Sequence, residues 1–350
     1  MRMSAIRCAS ILAAATLVVA GCGSAESENA DTGTSAGGYP MTIENCGRTV
    51  TVAAPPERVV SLNQASTEIL LSLGLADRMV GTATWTDPVR ANLAAANETV
   101  PRLADNKPSL ETVLNAEPDF VTASFGSSIG DGAAAGRDQY EKLGVPTYLS
   151  PTDNGCAGEV SSASNADGAR TTPFTLDSVY QEIRELAAIF GVTDRGDEFI
   201  AELQERYRAA SESVQAKDAS LAFWFADTNT PYLAGCCGSS GVITKSVGAT
   251  NVFADTTDEW PQVSWETVAD RNPTALVLAD LSRRSIDGDA LESKIAFLES
   301  NPVTARMQAV RDKRYITVNG ADMNPTIRTI DGVEKVAAAL QQWNLATPAS

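Results

Sequence analysis

Two stretches of this chain spell one pattern: Ser109-Leu110-Glu111-Thr112-Val113 ahead of Pro118, and Ser264-Trp265-Glu266-Thr267-Val268 ahead of Pro273. An apolar run follows each, Phe120-Val121-Thr122-Ala123 in the first copy and Ala275-Leu276-Val277-Leu278-Ala279 in the second. A serine N-cap with a carboxylate in the first turn starts a helix, and a proline beyond it stops the helix before a buried strand. One helix-then-strand unit is therefore used twice. Such a chain is expected to form two similar lobes, each presenting a glutamate at the same place. The plainer reading of Glu111 and Glu266 is that each only steadies a helix N-terminus, an effect of about 0.3–1 kcal/mol.

The remaining pattern fills out both lobes. Alternating runs flank Asn45-Cys46-Gly47, a hairpin signal; 58–62 and 78–81 predict strands around a helix over 66–73; a helix over 138–143 leads to a strand over 145–149. Strand alternating with helix at this spacing predicts a parallel sheet covered on both faces. A polar stretch over 151–173 reads as a loop. Leu176, Val179, Ile183, Leu186 and Ile189 then hold helical spacing with Gly191 past the end, and a second helix over 194–214 carries Phe199, Leu203 and Tyr207. The alternation resumes at Ser220 and ends in a helix over 332–343. The expected fold is α/β: two Rossmann-like lobes with parallel sheets, an N-terminal lobe over 41–173 and a C-terminal lobe over 217–346. A long α-helix in a connecting helical region over 174–216 joins them.

Arg2 and Arg7 precede the apolar run from Ile11 to Val19, which Ala20-Gly21-Cys22 closes. That run is too short to span a bilayer, which takes about 20 apolar residues, and it matches a lipoprotein cleavage box. Residues 1–21 are expected to leave as a signal peptide, with Cys22 acylated as a membrane anchor; an ordinary secretory leader is the rival. Residues 22–40, rich in Gly, Ser, Ala, Asp and Glu, read as a flexible tether. The 27 Lys and Arg stand against 44 Asp and Glu, a formal charge of −17, which argues against a nucleic-acid partner. In an exported chain Cys46, Cys156, Cys236 and Cys237 suggest up to two disulfides with three connectivities open. Cys46 with Cys156 is slightly favoured; adjacent Cys236 and Cys237 either bridge each other or take separate partners. The absence of histidine removes His-dependent catalysis and the imidazole ligands of most zinc sites.

Pro56-Glu57-Arg58-Val59-Val60-Ser61-Leu62, Thr67-Glu68-Ile69-Leu70 and Leu73-Gly74-Leu75 resemble the opening of the binding proteins for ferric siderophores, cobalamin and haem. Leu110-Glu111, Glu117-Pro118-Asp119, Gly248, Asn251 to Asp255 and Val263 to Glu266 are similar to that family at matching places, so the resemblance covers about residues 41 to 343. These are substrate-binding lipoproteins of ABC importers, the helical-backbone class III periplasmic binding proteins. The resemblance implies a ligand cleft between the lobes, modest closure about a helical connector, and no enzymatic activity. It also implies one glutamate per lobe docking on arginines of the permease, which matches Glu111 and Glu266. The expected partners are that permease with its ATPase, the membrane through the lipid anchor, and an iron–siderophore or similar bulky chelate. No cofactor is expected, iron entering only within the chelate. Cobalamin, haem or another bulky cofactor precursor is the alternative cargo; a structural or adhesive surface lipoprotein is the alternative from another class.

In parallel α/β lobes ligands sit beyond the carboxyl ends of the strands. The candidates there are Asn63, Gln64, Trp85, Ser124 and Phe125 in the first lobe, and Trp224, Trp260, Arg283 and Arg328 in the second. Trp85, Trp260 and Arg328 lead, because a bulky chelate needs flat apolar walls and a few fixed charges. Core packing is the plainer reading of each tryptophan, and a solvated surface pair that of Arg283 with Arg284. Cleft arginines would favour a carboxylate or catecholate chelate; their absence would favour a neutral hydroxamate or cobalamin-like one. The run Gly130 to Ala135 has the spacing of a dinucleotide fingerprint but begins well after its strand and reads as a loop.

Overall fold

The computed structural model describes residues 38–347 apart from 131–132, 134, 158–167, 284–285 and 287. The leader, Cys22, most of the tether, Arg284 and part of the Gly130 to Ala135 run lie outside the described residues. The N-terminal lobe opens with β1 (Met41–Asn45) and β2 (Arg48–Val52), antiparallel across Cys46-Gly47. Both turn residues have positive φ, 52° and 73°, the primed geometry that a two-residue hairpin favours. Then come β3 (Val59–Ser61), α1 (Gln64–Ser72), β4 (Met79–Ala83), α2 (Ala94–Asn97), β5 (Arg102–Ala104), α3 (Leu110–Leu114), β6 (Phe120–Ala123), α4 (Arg137–Lys142) and β7 (Thr147–Leu149). The lobe's main sheet is parallel throughout, in the order β5-β4-β3-β6-β7.

Two consecutive helices follow, α5 (Leu176–Ile189) and α6 (Thr193–Glu212). Val179, Ile183, Leu186 and Ile189 bury α5 in the N-terminal core beside Leu70, Phe120 and Tyr148. Helix α6 is the rod between lobes: Phe199, Ile200 and Leu203 share that same core, while Tyr207 and Ala210 pack against the C-terminal one. Its 20 residues span about 30 Å. The two helices lie so close that a Cβ on Gly196 would stand 2.6 Å from that of Ala187, so this crossing requires glycine.

The C-terminal lobe runs β8 (Ser220–Ala226), β9 (Tyr232–Leu233), α7 (Ser239–Val247), β10 (Thr250–Asn251), α8 (Trp265–Arg271), β11 (Ala275–Asp280), α9 (Leu291–Ser300), α10 (Gln308–Arg311), β12 (Tyr315–Asn319) and α11 (Thr329–Gln342). Its sheet is parallel in the order β10-β8-β11-β12. It departs from the all-parallel expectation at β9, which returns antiparallel on β8 after a turn through Asp227 at φ 67°. Of the three connectivities open to the cysteines, the structure has Cys46 with Cys156 and Cys236 with Cys237. The first closes a separation of 110 residues, a loop length for which restriction of the unfolded chain is worth about 4–5 kcal/mol. It ties the hairpin turn to the segment after β7, and the Asn45 amide donates to the carbonyl of Leu149 at the end of β7 at 2.8 Å.

Candidate ligand cleft between the lobes

Loops from the carboxyl ends of both sheets meet at two places. At the first, Ser282 donates its amide (3.1 Å) and hydroxyl (2.7 Å) to the Thr86 carbonyl. Asp87 accepts from the backbone amides of Gly320 at 3.2 Å and Ala321 at 2.7 Å. A Cβ on Gly320 would stand 2.2 Å from a terminal methyl of Leu281, which would have to move. Beside these, Arg328 donates from Nε to Glu68 at 2.8 Å, from Nη2 to the other Glu68 oxygen, and from Nη2 to the Pro88 carbonyl at 2.8 Å. The Gln64 amide and the Arg90 backbone N–H complete the shell of Glu68 at 3.1 and 3.2 Å. Arg90 then reaches Asp331 at 2.8 Å, and Arg206 of α6 pairs with the same carboxylate, so the rod joins this network.

Side chains of Glu68 and Arg328 are 0% and 3% exposed. Desolvation disfavours the guanidinium, but the Glu68 carboxylate outweighs it and holds the Arg328 pKa above its ordinary value. Burial pushes the Asp87 carboxyl up, against the pull of the two backbone amides it binds. Removing one partner from such a site strands a buried charge, whereas the intact pair is worth little net stability.

The second meeting place centres on Glu259. Its carboxylate accepts from Asn154 Nδ2 at 3.0 Å and from Arg170 Nε and Nη2 at 3.1 and 3.0 Å, and Arg170 also donates to the Thr152 carbonyl at 3.1 Å. Backbone bonds Arg170 N–H to Thr257 O (2.7 Å) and Glu259 N–H to Gly168 O (3.0 Å) pin the segments together. Between the two meeting places lies an aromatic patch. Phe225 and Trp260 pack at 4.8 Å, with the Arg283 guanidinium 5.7 Å from the Phe225 ring and paired to Asp289 at 3.2 Å. In the other lobe Trp85 lies under the Arg102 guanidinium at 4.4 Å, and Phe125 is partly exposed.

The sequence-derived candidates divide accordingly. Asn63 accepts from the amides of Ser124 and Phe125 at 2.9 and 3.3 Å, Ser124 and Ser66 share a 2.6 Å hydroxyl bond, and Gln64 accepts from the Asp87 amide at 3.0 Å. All three candidates are buried and hold the loops in place instead of facing a ligand. Trp224 is a correction: it is 0% exposed, packs edge-on to Trp265 at 4.6 Å, and donates its indole N–H to the carbonyls of Ala226 and Asp227. The strand continues two residues beyond it, and because successive side chains face opposite ways it is Phe225 that reaches the Trp260 patch. Arg328 is a second correction, since it is 3% exposed and its Nε and Nη2 are held by Glu68 and Pro88. Trp260, 6% exposed, and the exposed Arg283 lie at the aromatic patch, while Trp85, also 6% exposed, packs under Arg102 and Phe125 is half-buried in the first lobe.

Glu68, Asp87, Asn154, Arg170, Phe225 and Glu259 escaped the sequence reading. Only Glu68 carried a signal: it is a lone carboxylate in α1, every residue of which is buried. Glu111 and Glu266 stand exposed on the first turns of α3 and α8, neither ion-paired among the described residues. The serine caps hold as spaced, Ser109 Oγ accepting from Thr112 N–H at 3.1 Å and Ser264 Oγ from Thr267 N–H at 3.2 Å. Among the described residues no group of three or more acidic or cysteine side chains could hold a metal ion, and no helix is long and apolar enough to cross a membrane.

A periodic architecture of this kind has counterparts. The sequence model of a family described as periplasmic binding protein matches residues 59–320. The chain is 24% identical over 339 residues to the uncharacterized ABC transporter substrate-binding lipoprotein YvrC of Bacillus subtilis, covering 93% of this chain and 94% of that one. It is 26% identical over 285 residues to a vitamin B12-binding protein of Vibrio campbellii, covering 81% and 88%. Among solved structures it superposes on one titled as an ABC-type Fe3+-hydroxamate transport system from Saccharomonospora viridis, with a TM-score of 0.67, 26% identity, and coverage of 86% of this chain and 99% of that chain.

Proposed function

The chain belongs to the periplasmic binding protein family, and on that premise we propose that it is the extracytoplasmic solute-binding subunit of an ABC importer whose cargo is a bulky, electrically neutral metal chelate. A ferric hydroxamate is the first choice of cargo and a corrinoid the second. One observation carries the charge assignment: among the described residues the arginines at the lobe junction, Arg90, Arg170, Arg283 and Arg328, are each paired with a carboxylate. The aromatic patch therefore offers flat apolar walls without surplus positive charge, inside a chain of formal charge −17. A polyanionic catecholate complex would meet a repelling field with no local anion site to offset it. Relatives named for vitamin B12 and for Fe3+-hydroxamate carry cargo of the favoured kind.

In this reading residues 1–21 are cleaved, acylated Cys22 anchors the protein to the outer face of the cytoplasmic membrane, and residues 22–40 tether it. The lobes over 41–173 and 217–346, linked through 174–216, hold the chelate against Trp85, Phe125, Phe225 and Trp260. Glu111 and Glu266 dock the loaded protein on arginines of the permease. No bond in the cargo is made or broken. The test is tryptophan fluorescence quenching with a neutral ferric hydroxamate, cobalamin and a trianionic ferric catecholate. Saturation at micromolar levels, about 8 kcal/mol, is expected for a neutral chelate, with the catecholate at least ten-fold weaker. Tighter binding of the catecholate overturns the charge assignment; no quenching by any of the three overturns the chelate reading.

A further inference from the structure

Behind the lobe junction, on the side of the connecting helices, lies a cavity of about 490 Å³ where α5, α6 and α7 converge. Its apolar walls are Phe174, Leu176, Tyr180, Tyr207 and Val242, closed by the bonded pair Cys236–Cys237. It is assembled from both lobes: α5 belongs to the N-terminal core, Ile243 and Val247 root α7 in the C-terminal one, and Phe174 N–H donates to the Cys237 carbonyl at 2.8 Å across the seam. A volume of this size is typical of small-molecule sites.

Most of the polar groups at this cavity favour an anion, with Asp177 the exception. Helices α5 and α7, of 14 and 9 residues, both begin at it, and neither N-cap, Thr175 or Gly238, has a side-chain capping bond. Two uncapped N-termini place unsatisfied N–H groups and partial positive charge at one rim. An independent observation stands beside them: Tyr180 is only 6% exposed and lines the cavity, yet its hydroxyl has no hydrogen-bond partner among the described residues. A phenol is a donor seeking an acceptor. The Tyr207 hydroxyl, by contrast, already accepts from Ser246 at 2.9 Å. Lys245, exposed on the rim and without a carboxylate partner among the described residues, adds a full positive charge. Asp177, also on the rim, opposes more than one negative charge in the occupant.

We propose that this cavity is a second binding site, for a small aromatic monocarboxylate: the ring lies between Tyr180, Phe174 and the Cys236–Cys237 bridge, and the carboxylate accepts from Tyr180 and faces the α5 and α7 N-termini and Lys245. The site stands apart from the cargo cleft and does not depend on which chelate fills it. Its back wall is nonetheless shared with the cleft, since a Cβ on Gly238 would stand 2.8 Å from Glu259 Oε1, and Glu259 precedes Trp260.

Calorimetric titration of the whole processed protein with indole-3-propionate, its amide and inorganic sulfate tests the assignment. One saturable site for the acid is expected, with the amide and sulfate each at least ten-fold weaker. Tyr180→Phe should weaken the acid about ten-fold or more, as loss of a bond to a charged group does, and Lys245→Gln by a few-fold. Val242→Trp, which fills the cavity, should abolish binding. Both Tyr180→Phe and Lys245→Gln preserve the packing, so they test the site even if Val242→Trp perturbs the fold. Equal affinity for acid and amide, unchanged affinity in Tyr180→Phe, or no heat from the acid at about 10 mM, well beyond the ordinary range of small-ligand affinities, overturns the proposal. A neutral chelate that saturates the cleft without displacing the acid separates this site from the cargo site.

Discussion

The two capped helices, α3 and α8, are local copies of each other, whereas the two halves of the lobe junction share almost no chemistry. Each helix has the same serine cap within 0.1 Å, the same exposed glutamate and the same strand behind it. At the junction one lobe contributes the carboxylates of Glu68 and Asp87, and the other answers with a guanidinium and two backbone amides. The contrast separates two kinds of constraint. Under the proposed docking role such a surface has to be duplicated, because two partner sites would face it. A junction has only to be complementary, and complementarity requires opposite groups.

The largest effect should come from the duplicated surface. Glu111→Arg with Glu266→Arg should abolish uptake by whole cells while leaving chelate affinity measured by fluorescence unchanged, because both side chains are exposed on the first turns of α3 and α8. Normal uptake would reduce the repeat to helix capping. Next, Glu68→Ala strands Arg328 in the junction and should lower unfolding free energy by about 3–5 kcal/mol in a guanidinium titration. Changing both partners to methionine should cost far less, because no charge is left behind. A loss under about 1 kcal/mol for the single variant would mean that water reaches the pair and that the junction is no more demanding than the surface.

A pH experiment examines a buried carboxylate within the N-terminal lobe. Glu182 on α5 is buried, accepts from Ser150 Oγ at 2.6 Å just after β7, and has its other oxygen unpartnered among the described residues. Burial pushes its pKa up to about 8 from an ordinary 4.5. A carboxyl raised in the folded state favours folding fully below its unfolded pKa and loses that contribution as pH climbs through the folded value. Stability should therefore fall between about pH 4.5 and pH 8 on this account, and Glu182→Gln should flatten the slope and gain about 2–4 kcal/mol at pH 9. An unchanged slope would show that another group governs it. The smallest effect is the sharpest check on equivalence: Ser109→Ala and Ser264→Ala should each cost about 1 kcal/mol in thermal or denaturant unfolding. Losses differing by more than that amount would show that the helices are copies in sequence only.

How much was legible in advance follows the same division. The hairpin at Cys46-Gly47, the capped helices, the strands behind them and the apolar faces of α5 and α6 were all readable, because each depends on neighbours within a few positions. The aromatic patch was half legible. Trp85 and Trp260 stood out, but the choice between Trp224 and Phe225 turned on where β8 ends, and a strand extended by two residues moved the exposed ring by one position. Arg328 read as a free cation because the carboxylate that binds it, Glu68, lies 260 positions away in sequence.

From its own order of residues the chain determined two lobes, a helical rod, the paired surface glutamates and an acidic, histidine-free chemistry, since these arise from spacing, capping and composition. Tertiary structure alone decided which arginines are spent, which ring faces the cleft, and that helices from both lobes close a cavity behind it. Glu68 and Arg328 lie 260 positions apart, and the field that each feels is set by which groups folding buries beside it, a quantity no local pattern encodes.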